Sequence, residues 1–381
     1  MGRAPKRLQN IADRLTRTSW HSGVAMSLYD RATGREYHVG SGALDSRTPY
    51  FATGTSKLYT TAILLQLIEE GKVGFDDPFL TYLGRDKKYE ELLVREGIDY
   101  TDQVTIRHLM SHTSGFGDFF LYKYQARTLK HAIGDGVDTA WTFDEVLQRS
   151  RSHGAVAVPG QSPKALYTDT NFHILGRVIE TIEGENFGEV LQRRIIDRLG
   201  LSSTYLYCDP SDARPINFMS KDREVRVPRT MTSFQADGGI VTTSREALIF
   251  IRGFFEGYLF DKRILPHLYQ WRPMYFPTEY GIGLMQIKVP WWMSLPHRLN
   301  APPSRLFKSA PRTLGHMGLG GSICLYAPEA GVYISGTVNQ LLDPARAVVT
   351  SIKMIEDVAY GKCDEELRRG GASLAGPPPA Q

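Results

Sequence analysis

The sequence is short of cysteine, with only Cys208, Cys324 and Cys363 in 381 residues. Their wide spacing makes no metal-ligand pattern, and an odd number argues against a disulfide framework. Long apolar runs are also missing: no stretch approaches the ~18 residues that span a bilayer. The first residues, Met1 to Lys6, carry no apolar signal core, and Lys6 stands where a myristoylation motif prefers serine or threonine. An excess of charge is lacking too. Lysine and arginine number 45 against 41 acidic residues, net +4 and scattered, which argues against a nucleic-acid partner; the basic stretch Arg3–Arg14 reads as a solvated helix face. The expectation is a cytoplasmic protein with a small-molecule substrate, no membrane partner, no metal and no organic cofactor. The sequence does not fix its oligomeric state.

What is present is ordinary globular material, 42% hydrophobic and 23% charged, long enough for one large domain or two lobes around a sizeable core. Residues 5–18 have helical spacing. Val24–Tyr29, a turn at 32–34 and Glu36–Val39 predict a β-hairpin. A helix is expected from about Thr55 to Glu70, stopped by Gly71. Further helices are predicted over 104–111, 142–151, 170–183, 186–198 and 243–257. The short apolar or alternating runs Tyr280–Val289, Ser322–Tyr326 and Val332–Val338 read as strands, and 344–360 as a closing helix. Strands at both ends predict an α/β lobe built from both termini, about 1–75 and 280–368, with a mostly helical lobe inserted at about 76–279. Residues 369–381 have the composition of a disordered tail. A site between two such lobes is the default pocket.

Four segments carry the chemistry: Gly54-Thr-Ser-Lys57, Leu109–Phe116, Tyr167–Gly176 running into a helix, and Gly315-His-Met-Gly-Leu-Gly-Gly-Ser322 with Gly336–Gln340 beyond it. In a Ser-x-x-Lys enzyme the serine precedes the lysine by one helical turn, so hydroxyl and amine meet. Here the lysine is Lys57, and the position three before it is Gly54. The serine is missing.

In this order and spacing the segments resemble the serine β-lactamase-related family, which contains class C β-lactamases, D-alanyl-D-alanine carboxypeptidases, D-aminopeptidases and esterases of the same fold. The resemblance covers roughly residues 20–360. Glu69–Pro78, Asp237–Thr243 and Tyr280–Leu284 add to it. It implies the β-lactamase/penicillin-binding-protein-like α/β fold, an antiparallel sheet flanked by helices. By position it makes Lys57 the motif lysine, Tyr167 the general base and acid, and His316 the third-motif residue, on an edge strand, that helps hold the substrate's carboxylate or acyl carbonyl. Gly318 would let a ligand approach the backbone closely. Asp169 stands where many members have asparagine, as a substrate-side residue, a helix N-cap, or both. His112 is expected to be structural.

Physical chemistry supports these roles. An adjacent ammonium should favour the Tyr167 phenolate. The helix start under Gly54 should present N–H groups to an oxyanion. Each residue also has a plainer reading: Lys57 as a solvated helix lysine, Tyr167 as a rim tyrosine, His316 as a satisfied core histidine, and Phe119, Phe120, Trp291 and Trp292 as apolar packing rather than pocket wall. A slipped helix start would let Thr53 or Thr55 replace the lost hydroxyl; Ser56 faces elsewhere. Three readings stay open: an acyl hydrolase of ester, amide or lactam that lacks its serine, a repurposed enzyme using Tyr167 and Lys57 directly, and a non-catalytic binding protein.

Overall fold

Residues 23–30 alternate between two cores. Val24, Met26 and Leu28 pack with Leu8, Ala12, Met354 and Ile355 on one side, while Ser27 on the other reaches Ser244, with the hydroxyls 2.9 Å apart. This period of two is that of a strand covered on both faces. A computed structural model describes residues 5–17, 22–121, 123, 127–290, 292 and 309–360. Cys363, Trp291, most of the 285–310 loop and the 369–381 tail lie outside these.

The main sheet has eight antiparallel strands: β1 (Gly23–Asp30), β2 (Arg35–Gly42), β3 (Arg272–Pro273), β4 (Thr278–Tyr280), β5 (Met285–Ile287), β6 (Thr313–Met317), β7 (Ser322–Ala327) and β8 (Val332–Thr337), in the order β3-β4-β5-β6-β7-β8-β1-β2. The hairpin β1–β2 lies where its alternation and turn predicted. Two expectations are corrected. The run Tyr280–Val289 is two strands joined by a tight turn, in which Gly281 N–H donates to Leu284 and Gly283 takes φ +67° with its Cα against Thr61, where no Cβ fits. The third-motif strand β6 is interior, flanked by β5 and β7, rather than an edge strand.

The helices follow their local signals: α1 (Lys6–Leu15), α2 (Ser56–Glu69), α3 (Phe143–His153), α4 (Thr170–Glu183), α5 (Pro228–Phe234), α6 (Ser244–Glu256) and α7 (Pro344–Ala359). Thr142 and Glu145 close a capping box on α3, and Gly71 at φ +68° turns the chain out of α2 as Lys72 N–H returns to Leu67. Helix α6 packs on β1 and β8, and α1 and α7 cover the opposite face. Helix α2 is buried on every side from Ser56 to Leu67, as its nearly continuous apolar sequence requires. A small sheet of Tyr50–Phe51, Ile240–Thr242 and Tyr205–Leu206, with 240–242 central, sets the start of α2 beside the Asp237 turn: Ala52 N–H donates to Ile240 at 2.8 Å.

Candidate active site

Lys57 sits in the first turn of α2, a helix buried on every side there, so its ammonium must find partners inside the protein. It is 1% exposed and donates to Asp169 Oδ1 at 2.6 Å and to the Asp237 carbonyl at 2.8 Å. Its Nζ also lies 5.2 Å from the Tyr167 ring centroid. Asp169 precedes α4 in helical conformation and its carboxylate makes no cap hydrogen bond; the N-cap reading gives way to an ion pair with Lys57.

Tyr167 is placed by the Leu109–Phe116 loop. His112, at φ +54°, accepts at its carbonyl from Leu166 N–H at 2.8 Å and at Nδ1 from Thr168 N–H at 3.2 Å. Its ring lies 4.3 Å from that of Tyr167. The structural role expected of His112 is therefore to position Tyr167 from both sides. Burial and the Asp169 carboxylate hold the Tyr167 phenol well above its ordinary value. This corrects the expectation of an easily formed phenolate: Asp169 spends the lysine's charge and adds its own. The phenol keeps its proton at neutral pH.

His316 is fully buried. Its Nδ1 lies 2.7 Å from the Met317 carbonyl and its Nε2 3.2 Å from the Tyr280 hydroxyl, which assigns Nδ1–H as donor and Nε2 as acceptor. Burial first, then Lys57, lowers its pKa to about 3, so the ring is neutral. With both nitrogens bonded within the protein, His316 holds the Met317 carbonyl rather than a substrate group. That carbonyl matters: a Cβ on Gly54 would sit 2.7 Å from Met317 O, 3.1 Å from Gly318 Cα and 3.4 Å from His316 Cε1. Packing also requires glycine at 318, since a Cβ there would meet Thr53 Oγ1, Ser322 Oγ at 2.5 Å and Gly54 N at 2.6 Å.

The neighbouring hydroxyls are committed. Thr53, a β-branched residue held at φ +48°, donates to the Leu319 carbonyl at 2.7 Å. Thr55 donates to Ala52 at 2.9 Å, and Ser56 Oγ accepts Ile240 N–H at 3.2 Å. Each of the three hydroxyls therefore has a partner within the protein. Positive φ at a β-branched residue costs energy that packing must offset, and such strain gathers at functional sites. Gly54 itself stays partly exposed beside a half-buried Tyr167.

Lys57, Tyr167, His316, Gly54, Asp169 and Gly318 thus meet in one place. Phe119 and Phe120 do not line it; they belong to a buried apolar cluster. Trp292 is exposed and stacks on Phe276. Three groups escaped sequence reading. Asp118, Asp237 and His173 are all buried; His173 Nε2 lies 3.2 Å from Asp237 Oδ1, and Asp118 accepts Asp169 N–H at 3.1 Å. Burial, then Asp169, raises Asp118 to about 8; burial raises Asp237 well above its usual range. The available signal was a carboxylate set among aromatic residues, Phe116-Gly-Asp-Phe-Phe120.

A proton held by native Asp118 is released by the unfolded chain above its ordinary value of about 4. Its contribution is therefore fully present below that value and lost as pH rises toward about 8. Asp118→Asn keeps the acceptor for Asp169 and Phe120 N–H and cannot ionise. Melting temperatures should show it gaining on the parent between pH 5 and 8. A constant difference across that range would mean Asp118 is already ionised.

The beta-lactamase family model matches residues 9–356. The chain belongs to the beta-lactamase family. Among curated relatives of this beta-lactamase-family chain, a teichoic acid D-alanine hydrolase of Staphylococcus aureus is 25% identical over 240 residues, 61% of this chain and 53% of the relative; the chain spans about half the length of the curated relatives it matches. A D-stereospecific amidohydrolase from Streptomyces sp. aligns with TM-score 0.71 at 21% identity, covering 90% of this chain and 97% of that one. D-amino acid amidase from Ochrobactrum anthropi SV3 aligns at 0.70 and 20%, over 93% and 99%. An octameric penicillin-binding protein homologue from Pyrococcus abyssi aligns at 0.69 and 19%, over 92% and 77%. The fold is therefore the β-lactamase/penicillin-binding-protein-like one. Among the described residues no helix is long and apolar enough to cross a membrane.

Proposed function

We propose that this chain is a hydrolase of small-molecule esters or amides that works without an acyl-enzyme. One observation carries this: the Cβ space of residue 54 is taken by the Met317 carbonyl, while Lys57, Asp169 and a protonated Tyr167 remain together beside the partly exposed Gly54. In this reading water attacks the substrate carbonyl. Tyr167 passes its proton to the departing amine or alkoxide and recovers one from the attacking water, so no net proton is lost. The Lys57–Asp169 pair fixes the floor of the pocket beside the Tyr167 ring. Localisation in the cytoplasm and a small-molecule substrate belong to the same proposal.

One similar protein is a teichoic acid D-alanine hydrolase, another a D-amino acid amidase and a third a D-stereospecific amidohydrolase, which supports D-amino acid amides and esters as first substrates. A second reading, ligand binding without turnover, is favoured by the complete internal pairing of His316. D-phenylalanine amide and p-nitrophenyl acetate separate the two. Under the hydrolase reading Tyr167→Phe lowers turnover about 100-fold or more, with intact mass unchanged throughout. Binding of the amide without turnover, indifferent to Tyr167→Phe, would support the second reading, and a covalent adduct would overturn both.

A further inference from the structure

The turn between β3 and β4 carries Met274, Tyr275, Phe276 and Pro277, with no charged side chain among them. Hydrogen bonds fix this turn. Met274 N–H donates to the Thr278 carbonyl at 3.1 Å, Thr278 N–H returns to the Tyr275 carbonyl at 2.6 Å, and the Thr278 hydroxyl donates to that same carbonyl. The turn holds two large rings toward solvent: Tyr275 is 51% exposed and Phe276 69%. Trp292, 53% exposed, lies parallel to Phe276, with the planes 4° apart and the centroids 6.1 Å apart. Single exposed apolar side chains are ordinary, whereas contiguous ones mark a surface that something covers.

These rings continue the wall of the Gly54 pocket. The Tyr275 hydroxyl lies 4.0 Å from Met317 Sδ, and Met317 is the residue whose carbonyl fills the Cβ space of Gly54. Met274, Met317 and Tyr167 all pack on one small cluster of Ala165, Tyr280 and Met285. Burial, then the Asp169 carboxylate, pushes the Tyr275 phenol upward, so this hydroxyl senses the same charge that acts on Tyr167. The three rings are also far fewer than the ~20–30 residues a side of a standard protein interface. Their size and place suit part of a small molecule bound at Gly54.

The patch selects a chemistry. A turn without charge favours an uncharged group, and parallel aromatic faces favour a flat ring over a branched aliphatic chain. We propose that Tyr275, Phe276 and Trp292 determine specificity, by receiving the aromatic side chain of a substrate whose carbonyl lies at Gly54. This rests on reading the Gly54 pocket as the substrate site, and it narrows the substrates from D-amino acid amides and esters in general to those with an aromatic side chain. The methyl group of an alanyl substrate would leave the wall uncovered.

Titration calorimetry of the full chain with D-phenylalaninol and D-alaninol, which have no bond to hydrolyse, tests the wall apart from turnover. Hydrolysis of D-phenylalanine amide and D-alanine amide is measured alongside. D-phenylalaninol should bind about tenfold or more tighter than D-alaninol, and kcat/KM should favour the phenylalanine amide by about the same factor. D-cyclohexylalaninol, apolar but not flat, should bind more weakly than D-phenylalaninol. Phe276→Ala should shrink both ratios to about threefold or less, with thermal unfolding reporting an intact fold. Tyr258→Ala, which removes an exposed ring just past the end of α6, should leave both ratios unchanged. If neither amide is hydrolysed but the binding ratio holds and is lost in Phe276→Ala, the hydrolase reading fails and the wall stands. If both amides are hydrolysed with equal kcat/KM, the hydrolase reading stands and the wall fails. No binding by either alcohol, equal binding of D-phenylalaninol and D-cyclohexylalaninol, or a ratio that survives Phe276→Ala also overturns the proposal. Self-association that weakens in Phe276→Ala while the ratios stay unchanged would make the patch an interface between copies, and overturns it equally.

Discussion

Lys57→Met should lower stability by about 3–5 kcal/mol in urea unfolding, among the largest effects of any single side-chain change in this protein. The methionine occupies much the same volume, so packing is not the cause. The cause is Asp169, which loses the ammonium 2.6 Å away and is left buried beside Asp118 and Asp237, both pushed upward by burial. A buried carboxylate left without its partner bears the full cost of its desolvation. Adding Asp169→Leu should recover most of the loss, because removing both members of a buried pair costs far less than removing one. If the single variant loses less than about 1 kcal/mol at pH 8, the size of an exposed pair, then Asp169 is solvated and the buried cluster described here does not hold.

The same cluster shows where reading the sequence stops. Helices α2, α3 and α4 and the hairpin β1–β2 were legible because caps, glycine stops and alternation act within a few residues. The convergence of Lys57, Tyr167 and His316 was legible from their motifs. The interior place of β6 was not, since strand order is set by pairing between distant segments. The charge state of Tyr167 was not either. Proximity to a lysine gives one sign of shift, and burial with an intervening Asp169 gives the other; only the assembled geometry decides between them. Asp118 and Asp237 look like ordinary turn acids until the aromatic clusters close around them.

Gly54 is the sharpest case. From the motif alone the position reads as a serine with its side chain removed, and restoring the serine looks sufficient to restore a nucleophile. The geometry predicts otherwise. The new Cβ falls 2.7 Å from the Met317 carbonyl, a backbone atom that the His316 Nδ1–H holds in place, so no flexible side chain can give way. Gly54→Ser should cost about 1–3 kcal/mol as β6 shifts to admit it. Gly54→Ala should cost about the same, which marks the Cβ rather than the hydroxyl as the cause. A hydroxyl placed there also lacks a base. Lys57 already donates to two acceptors, Asp169 and the Asp237 carbonyl, and Tyr167 keeps its proton. Gly54→Ser should consequently show no burst of p-nitrophenol from p-nitrophenyl acetate and no fluorophosphonate adduct. Pairing it with Asp169→Asn is the stronger test, because the amide accepts from Lys57 without holding its charge. A burst in the double variant with none in the single one identifies Asp169 as the group that commits Lys57. A burst in Gly54→Ser alone would mean that β6 yields readily and that the glycine merely removed a nucleophile from an otherwise acylating site.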